Sequence, residues 1–461
     1  MKKSSGLACA ALSFLSAFPL FASGVENKTN MSTGYLRNPS RNAESSRPEA
    51  SYYNVAGTAF MDDGLFVEFG NQFVFKEYGN ELNTGNALSG SGLSDYYSND
   101  ETTVWLYPDA DFVYKRGRIA LFGNFGVYAG GGSLSFSEGT SATSLLFANA
   151  AADYMKKSAE AYAASQSASD AAAKATNQAG AEKASSAAGY LIKTAQKGGH
   201  SLDVTSITYG GQLGLSYKII DCVSFAAGLR YVHGTQDMSI YSGYFNELGN
   251  GSDEISYKAN GWTVSGVFGI HYKPVENVDL AVQYQSKSSV KYKVNDVSGT
   301  LAGDFGIYDG KSFHTDLPAA LNLGAGWQVL EPLYLSASFN YYFNYFADQN
   351  SILGETDYDN SLEVALGADY RFSKWISASL GFQYGKQGTN GSSNSTFNPV
   401  LDSFCVGSGV EISPAENLTI TLSGLFATYF DADYYLGGYK TTLSKDVTNL
   451  SIGVTYHFPS L

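Results

Sequence analysis

The sequence predicts an all-β fold, a closed antiparallel barrel of fourteen strands, and two observations support this. Long segments alternate apolar and polar residues, which is typical of strands with one apolar and one polar face. Short turns join these segments in pairs, and longer connections separate the pairs. Short turns at one end and long loops at the other are the arrangement of single-chain barrels that span an outer membrane. The short turns lie at 115–118, 220–222, 273–277, 330–332, 372–375 and 413–417.

The alternation is explicit within single segments. In 278–285, Leu280 and Val282 fall on one face, whereas Asp279 and Gln283 fall on the other. A soluble β-sandwich also alternates, but its strands are mostly 5–6 residues long, and many of these segments exceed ten. The polar face is therefore expected to line a lumen. The predicted strands are 65–77, 104–114, 119–137, 203–218, 223–241, 255–272, 278–294, 312–329, 333–346, 361–371, 376–386, 402–412, 418–430 and 447–458.

Composition agrees with long, twisting strands rather than with several soluble domains. The chain has 461 residues with 50 Gly and 34 Tyr but only 10 Pro, and nothing in it marks a domain boundary. Both ends of the predicted barrel lie on the short-turn, periplasmic side. The last strand carries a polar and aromatic pattern at 451–458 that resembles the signal read by the barrel-assembly machinery. We expect a monomer in contact with outer-membrane lipids.

The first residues predict a secretory signal at 1–24. Lys2 and Lys3 precede an apolar stretch, and small residues follow at 22–24. Removing this segment takes away two lysines and no acid, so the net charge falls from −14 to −16. An acidic protein has little electrostatic attraction for nucleic acid. No apolar run of 18 residues follows, so strands must provide any membrane passage.

One segment does not fit the barrel pattern. Residues 139–200 lie between the third and fourth predicted strands and are rich in Ala, Ser, Lys and Gln, which favour helix. The strand count places this insertion outside the cell. Leu145, Leu146 and Phe147 give its start a weakly amphipathic character. The insertion is either a helix-prone surface element or a lid over the barrel mouth.

Residues 25–64 precede the first strand and are expected to fold into the lumen as a hatch. Within them Asn54, Val55, Ala56 and Gly57 follow a Tyr-Tyr pair. This motif resembles the Asn-Pro-Ala motif of the FadL/TodX family of outer-membrane transporters, with Val55 in place of the family's Pro. The segment 314–319, before the eighth strand, is similar to the family as well. The resemblance implies a plugged fourteen-stranded barrel that carries long-chain fatty acids or other hydrophobic compounds.

In that family the ligand enters from outside, binds in the lumen and leaves sideways into the bilayer. A sideways exit needs a gap in the wall, and strands 2 and 3 offer a candidate. The turn at 115–118 places Pro108 opposite Phe125 and Gly126, roughly 20 Å above the turn at about 3.3 Å per residue. Pro donates no ladder hydrogen bond, and Gly allows a kink. The same candidate gate includes Gly130, Gly131 and Gly132. The alternative is that Pro and Gly only bend the barrel wall.

An anionic ligand head group needs a cation in the lumen. By strand alternation the candidates are Arg230, Lys287, Lys291 and Lys293, with the three lysines toward the outer end of strand 7. Solvated rim charges, or pairing with acids such as Asp296, are the simpler interpretation of these lysines.

Three other functions make different demands on the sequence. A passive porin for small polar solutes would have an open, charged constriction, and an adhesin would use the insertion and the Tyr-rich loops. A lipase would need a serine, histidine and orienting acid, but no such set, nucleophile elbow, phosphate loop or HExxH motif stands out. We therefore predict no enzyme, no cofactor and no metal.

Overall fold

The computed structural model describes residues 30–85, 87–91, 93–249, 251–350, 352, 358–389, 394, 396 and 399–459. The predicted signal at 1–24 and the start of the predicted hatch, 25–29, lie outside these residues. No helix in the described ranges is both long and apolar enough to cross a membrane.

Within these ranges, seventeen strand segments form one continuous antiparallel sheet that closes on itself, because β1 pairs with both β2 and β17. The strands are β1 Gly64–Asn83, β2 Tyr96–Arg116, β3 Ile119–Phe136, β4 Ser201–Ile220, β5 Val223–Tyr241, β6 Glu254–Val275, β7 Val278–Gln285, β8 Lys291–Ser298, β9 Ser312–His314, β10 Ala320–Leu330, β11 Leu333–Tyr342, β12 Ser361–Arg371, β13 Ile376–Lys386, β14 Ser403–Ala415, β15 Leu418–Tyr429, β16 Ala432–Leu436 and β17 Tyr439–Pro459.

Three barrel strands consist of two segments each, namely β7 with β8, β9 with β10, and β15 with β16. Both β7 and β8 pair with β6, and both β15 and β16 pair with β17. The barrel therefore has fourteen strands, as the sequence predicts. The predictions of single unbroken strands over 278–294 and 312–329 are wrong. Residues 286–290 and 315–319 leave the continuous ladder and keep one isolated bridge between them, from Ser288 to Leu317.

Burial follows the predicted alternation. On β7, Asp279 and Gln283 are buried against the lumen contents, whereas Leu280 and Val282 are exposed. All four tryptophans are exposed large side chains, two of them near the short turns and two farther along the barrel: Trp327, Trp375, Trp105 and Trp262. Aromatic residues at two levels of an apolar exterior are typical of outer-membrane barrels.

The lumen contains the described part of the N-terminal segment. Its helices α1, Thr33–Arg37, and α2, Ala50–Tyr53, are buried throughout, and a 3₁₀ turn follows at Gly57–Phe60. Helix α1 packs against β13, β14, β15 and β17, and α2 packs against β2 and β3. We call residues 30–63 the hatch.

The Ala-rich insertion forms two packed helices, α3 at Ser141–Ser167 and α4 at Ala171–Ala195. Thr140 caps α3 by a reciprocal pair of hydrogen bonds with Thr143. The start of α3 and the end of α4 are buried, through Leu145, Leu146 and Leu191. The remainder of the hairpin is largely exposed. The three other 3₁₀ turns within the described ranges are Ser89–Ser91, Thr300–Phe305 and Asn344–Phe346.

Candidate transport site

The hatch motif fixes the hatch to the wall on the β6 and β7 side. The Asn54 side-chain nitrogen contacts the Glu44 carbonyl at 2.9 Å and His271 Nδ1 at 2.9 Å, and the Gly57 amide donates to Asn54 Oδ1. The Val55 amide donates to Gln283 Oε1 at 2.9 Å. A Cβ at Gly57 would lie 2.5 Å from Asn54 Nδ2, so this position accepts only glycine without displacement. Because Val55 keeps an amide that Pro lacks, the substitution adds a hydrogen bond to the wall.

A network of ion pairs fixes the hatch to a second part of the wall, β12 and β14. Arg37 pairs with Asp369 and Glu411, while Arg47 pairs with Glu411 at 2.7 Å. Arg41 pairs within the hatch with Glu49 at 2.8 Å. Breaking one partner of such a pair leaves a buried charge uncompensated, which costs about 3–5 kcal/mol. The hatch is therefore attached to two separate parts of the wall.

The ladder between β2 and β3 ends early. It runs from Arg116–Ile119 to Ala110–Phe125, and no further β2–β3 pair is present over the described residues of these strands. The register places Val127 opposite Pro108, so the expected pairing of Pro108 with Phe125 and Gly126 is wrong by up to two residues. The register differs because the turn has two residues, Gly117 and Arg118, instead of the predicted four at 115–118. We call the unpaired stretch above Ala110 and Phe125 the lateral seam.

Side chains fill the lateral seam in place of backbone hydrogen bonds. The Tyr107 hydroxyl donates to the Val127 carbonyl at 3.3 Å, and the Lys76 ammonium donates to the Gly131 carbonyl. At the outer end the Tyr96 hydroxyl donates to the Glu138 carbonyl at 2.8 Å. Unpaired carbonyls are costly in a bilayer unless protein groups or water satisfy them. These contacts provide that satisfaction and need only side-chain rotation to break.

The glycines of β3 lie at this seam. Gly130 and Gly132 have φ of +77° and +94°, and two bulges interrupt the β3–β4 ladder between Val127 and Gly132. Gly126 faces the hatch, where a Cβ would lie 2.7 Å from Met31 Cε. On the outer side, Trp105 and Leu106 expose 68% and 71% of their surface beside the seam. The seam thus has apolar outer edges and a hatch residue behind it.

A cavity of about 80 Å³ lies inside the barrel against this seam. Its lining includes hatch residue Tyr35 and residues from both edges of the seam, Tyr107 and Gly131. Lys76 and Glu363 bring charge to the cavity, and Val74 and Leu425 bring apolar surface. The sequence interpretation missed Lys76, although it alternates in phase with Glu68 and Gln72 on the lumen face of β1.

The four predicted cations have different surroundings. Arg230 is buried in the lumen, packs over the rings of Tyr128 and Tyr52, and donates to Gln212 Oε1 at 3.3 Å. Lys287 pairs with buried Asp316 at 3.1 Å. The predicted lumen orientation of Lys291 and Lys293 is wrong, because the break at 286–290 shifts the alternation by one residue. Their neighbours Tyr292 and Val294 are buried instead.

Fold and site together define an outer-membrane barrel of fourteen strands with a lumen hatch, which is a class of transport channel. The chain belongs to the family described as outer membrane protein transport protein (OMPP1/FadL/TodX), whose profile matches residues 157–432. The protein is therefore located in the outer membrane, transports hydrophobic compounds and is not an enzyme.

Solved structures resemble the whole chain. A Pseudomonas aeruginosa FadL homologue is 16% identical with a TM-score of 0.65, over 95% of this chain and 100% of that one. The Pseudomonas putida toluene transporter TodX is 13% identical with a TM-score of 0.55, over 97% and 100%. The Ralstonia pickettii toluene transporter TbuX is 14% identical with a TM-score of 0.53, over 95% and 99%. No curated protein sequence matches the chain significantly.

Proposed function

We propose that this protein takes up long-chain fatty acids, or hydrophobic molecules of similar amphipathic character, and releases them sideways through the lateral seam. The observation that carries the proposal is the position of the cavity. It touches the hatch and both edges of the seam, and Lys76 lies between cavity and seam. The side chains of Tyr107 and Lys76, which contact the β3 carbonyls, would lie beside such a ligand at the seam.

The lining of the cavity suits an amphipathic ligand. Lys76 would attract a carboxylate, and a charge-assisted hydrogen bond contributes about 1.5–3 kcal/mol. Val74, Leu425 and the tyrosine rings would contact the acyl chain. The volume of about 80 Å³ is smaller than the roughly 150 Å³ cavity that admits benzene. A longer ligand therefore requires side chains at the seam, or the hatch, to move.

Comparing the binding of a fatty acid with the binding of toluene distinguishes the proposal from transport of neutral hydrocarbons. Replacement of Lys76 by Met keeps most of the side-chain volume and removes the charge, so we expect fatty-acid affinity to fall roughly tenfold or more. Binding of toluene should change little. Lys258→Met, an exposed lysine change on β6, is the matched control. Equal losses for both ligands would point to altered packing, and no loss for fatty acid would exclude Lys76 as its partner.

A passive porin makes a different prediction in planar bilayers. Because the hatch lies in the lumen and is attached to two parts of the wall by hydrogen bonds and ion pairs, we expect no large steady conductance. A large, constant, ohmic conductance from the purified protein would favour the porin instead.

The adhesin alternative is supported by one feature, the exposed outer half of the α3–α4 hairpin. Deleting 155–186 removes that part and leaves the buried Leu145, Leu146 and Leu191 in place. We expect uptake to survive this deletion. Loss of cell attachment with unchanged uptake would show that the hairpin has a separate contact role.

A further inference from the structure

Three buried carboxylates lie together on the lumen wall, apart from the cavity. Glu68 on β1 and Asp109 and Asp111 on β2 are only 4%, 4% and 3% exposed. One oxygen from each lies within 4.8 Å of the others. The register places Glu68 directly opposite Asp111 and places Asp109 opposite Gly70. Like charges directly opposite in a sheet are destabilising, so this arrangement needs a compensating positive charge.

The hydrogen-bond donors around the cluster leave several of its oxygens unsatisfied. Glu68 accepts from Thr33 at 3.3 Å and Thr455 at 3.0 Å. Asp111 Oδ1 accepts from Ser51 and Asn124. Asp111 Oδ2 and both oxygens of Asp109 are buried and have no hydrogen-bond partner in the described structure. Asp109 is thus an unpartnered, buried carboxylate directed into the cluster.

No basic side chain of the described residues forms a salt bridge with these three acids. The nearby hatch arginines are engaged elsewhere, since Arg41 pairs with Glu49 and Arg47 pairs with Glu411. An ionised carboxylate that is buried without a partner is strongly unfavourable, so such groups are paired or bind metal. Gly70 leaves room for the Asp109 carboxylate, because any larger residue there would place a Cβ only 2.5 Å from Asp109 Oδ2.

The chemistry of the donors selects the ligand. Three carboxylates with no nitrogen or sulfur donor suit hard divalent cations. Ca²⁺ binds oxygens at about 2.3–2.6 Å, so ligand oxygens on one ion lie within about 5 Å of one another. We propose that Glu68, Asp109 and Asp111 bind a divalent cation, with Ca²⁺ as the preferred ion.

Position gives this ion a structural role. Asp109 and Asp111 flank Ala110, where the β2–β3 ladder ends. Asp111 also accepts from Ser51 of α2, and Glu68 accepts from Thr33 of α1. The ion therefore joins β1, β2 and the hatch at the inner end of the lateral seam.

In a second acidic cluster, the negative charge is already compensated by neighbouring groups. His314, Asp316 and Asp348 also lie within ligand distance of one another. There Lys287 pairs with Asp316, and the Val290 and Asp348 amides donate to it. That cluster has its positive charge already and serves as the control.

The test uses the folded, detergent-solubilised protein. Bound metal is first removed with a chelator, the protein is then dialysed against buffer containing Ca²⁺, and the bound Ca²⁺ per chain is measured by mass spectrometry. We expect one more Ca²⁺ per chain in the wild type than in Asp109→Asn/Asp111→Asn, and the same content in Asp348→Asn as in the wild type. Ca²⁺ bound to co-purified lipopolysaccharide is common to all three proteins and cancels in the difference. Added Ca²⁺ should raise the melting temperature of the wild type and of the control but not of the double variant.

Equal Ca²⁺ content in wild type and double variant would overturn the proposal. So would a chelated wild type that binds no Ca²⁺ and shows protonated carboxyl bands in its infrared spectrum, because protons would then compensate the cluster. Glu68→Gln provides a second variant if the double variant fails to show the heat-modifiable gel migration of a folded barrel.

Discussion

Two hairpins of the same barrel differ in how completely their strands pair. All 19 residues of β5 have partners on β6, from Val223–Tyr272 to Tyr241–Glu254. Of the 21 residues of β2, only Ala110–Arg116 pair with β3. In the first hairpin, opening the wall would break backbone hydrogen bonds, at several kcal/mol per unsatisfied group in lipid. In the second, above Ala110 and Phe125, side-chain contacts replace the backbone ladder between the two edges.

The comparison teaches that this wall is specialised by a few residues. Pro108 cannot donate to a partner strand, and Gly130 and Gly132 adopt backbone angles that most residues avoid. Tyr107 and Lys76 then satisfy the carbonyls of β3 from the side. The proposed release through the wall depends on these replacements.

The largest single-residue effect should come from adding bulk at the seam. In Gly126→Val the new side chain would collide with Met31 of the hatch, whose Cε lies 2.7 Å from the Cβ position. Met31 Cε is the end of a flexible side chain and can rotate away, so barrel assembly should be retained. The added bulk remains behind the seam, and overpacking at the low end of about 1–3 kcal/mol should lower uptake roughly tenfold. Uptake of labelled fatty acid by cells with matched surface amounts measures it.

The control for that variant is Gly424→Val on β15, away from the seam, where the nearest atom to a Cβ is at 3.2 Å. Its uptake should stay close to that of the wild type. Gly424 alternates with exposed Leu422 and Phe426, so a side chain at this position faces outward. A similar decrease in both variants would show that added bulk anywhere in the barrel wall slows uptake, and the effect would not be specific to the seam.

A smaller effect, a loss of local stability in the loop above the seam, is expected when the pH is lowered. Burial lowers the pKa of His200, in the loop before β4, to about 4, although the Thr194 carbonyl accepting from Nδ1 opposes this. The folded state therefore holds His200 neutral, while an opened state would gain a proton below its ordinary pKa of about 6.5. Stability present at pH 7 is then lost as the pH falls through this window, by about 2 kcal/mol at pH 5.

Hydrogen exchange of the first turns of α3, corrected for intrinsic rates, measures that loss at pH 7 and pH 5. We expect faster opening at pH 5 in the wild type and no added pH dependence in His200→Gln. The continuous β5–β6 wall should show no such change. Equal acceleration in both regions would mean that acid loosens the barrel as a whole.

The smallest effect is expected at the lysines of β8 and its neighbouring loop. The triple change of Lys287, Lys291 and Lys293 to Ala should alter fatty-acid affinity by no more than about twofold, since none of the three lysines lines the cavity. Lys291 and Lys293 alternate with buried Tyr292 and Val294, and Lys287 is occupied by Asp316. A tenfold loss would return these residues to the candidate ligand site.

Much of the fold was predictable because a barrel repeats a simple rule. Alternation predicts which residues face the lumen and which face outward, and the short turn at Gly117 and Arg118 indicates where β2 and β3 form a hairpin. The break at 286–290 was not predictable, because Ser and Lys there also fit a strand exposed to water. Missing that break reverses the orientation assigned to Lys291 and Lys293.

The site was less accessible from sequence than the fold. Lys76 follows the alternation of β1 and could have been found, but its proximity to Gly131 depends on the interrupted β2–β3 ladder. The pairing of Glu68 with Asp111 depends on the register between β1 and β2, which a long loop connects. Short turns reveal register, whereas long loops do not.

Reversible closure of the seam tests the account most directly. In a background with Cys222 and Cys405 changed to Ser, Leu106→Cys and Ala129→Cys would lie opposite each other across the seam if the β2–β3 register continued. Tyr231→Cys and Val264→Cys form the matched pair on the continuous wall. A bis-maleimide with a reducible disulfide should abolish uptake in the first protein only, and reductant should restore it. Unchanged uptake with the seam fully cross-linked would contradict lateral release at this site.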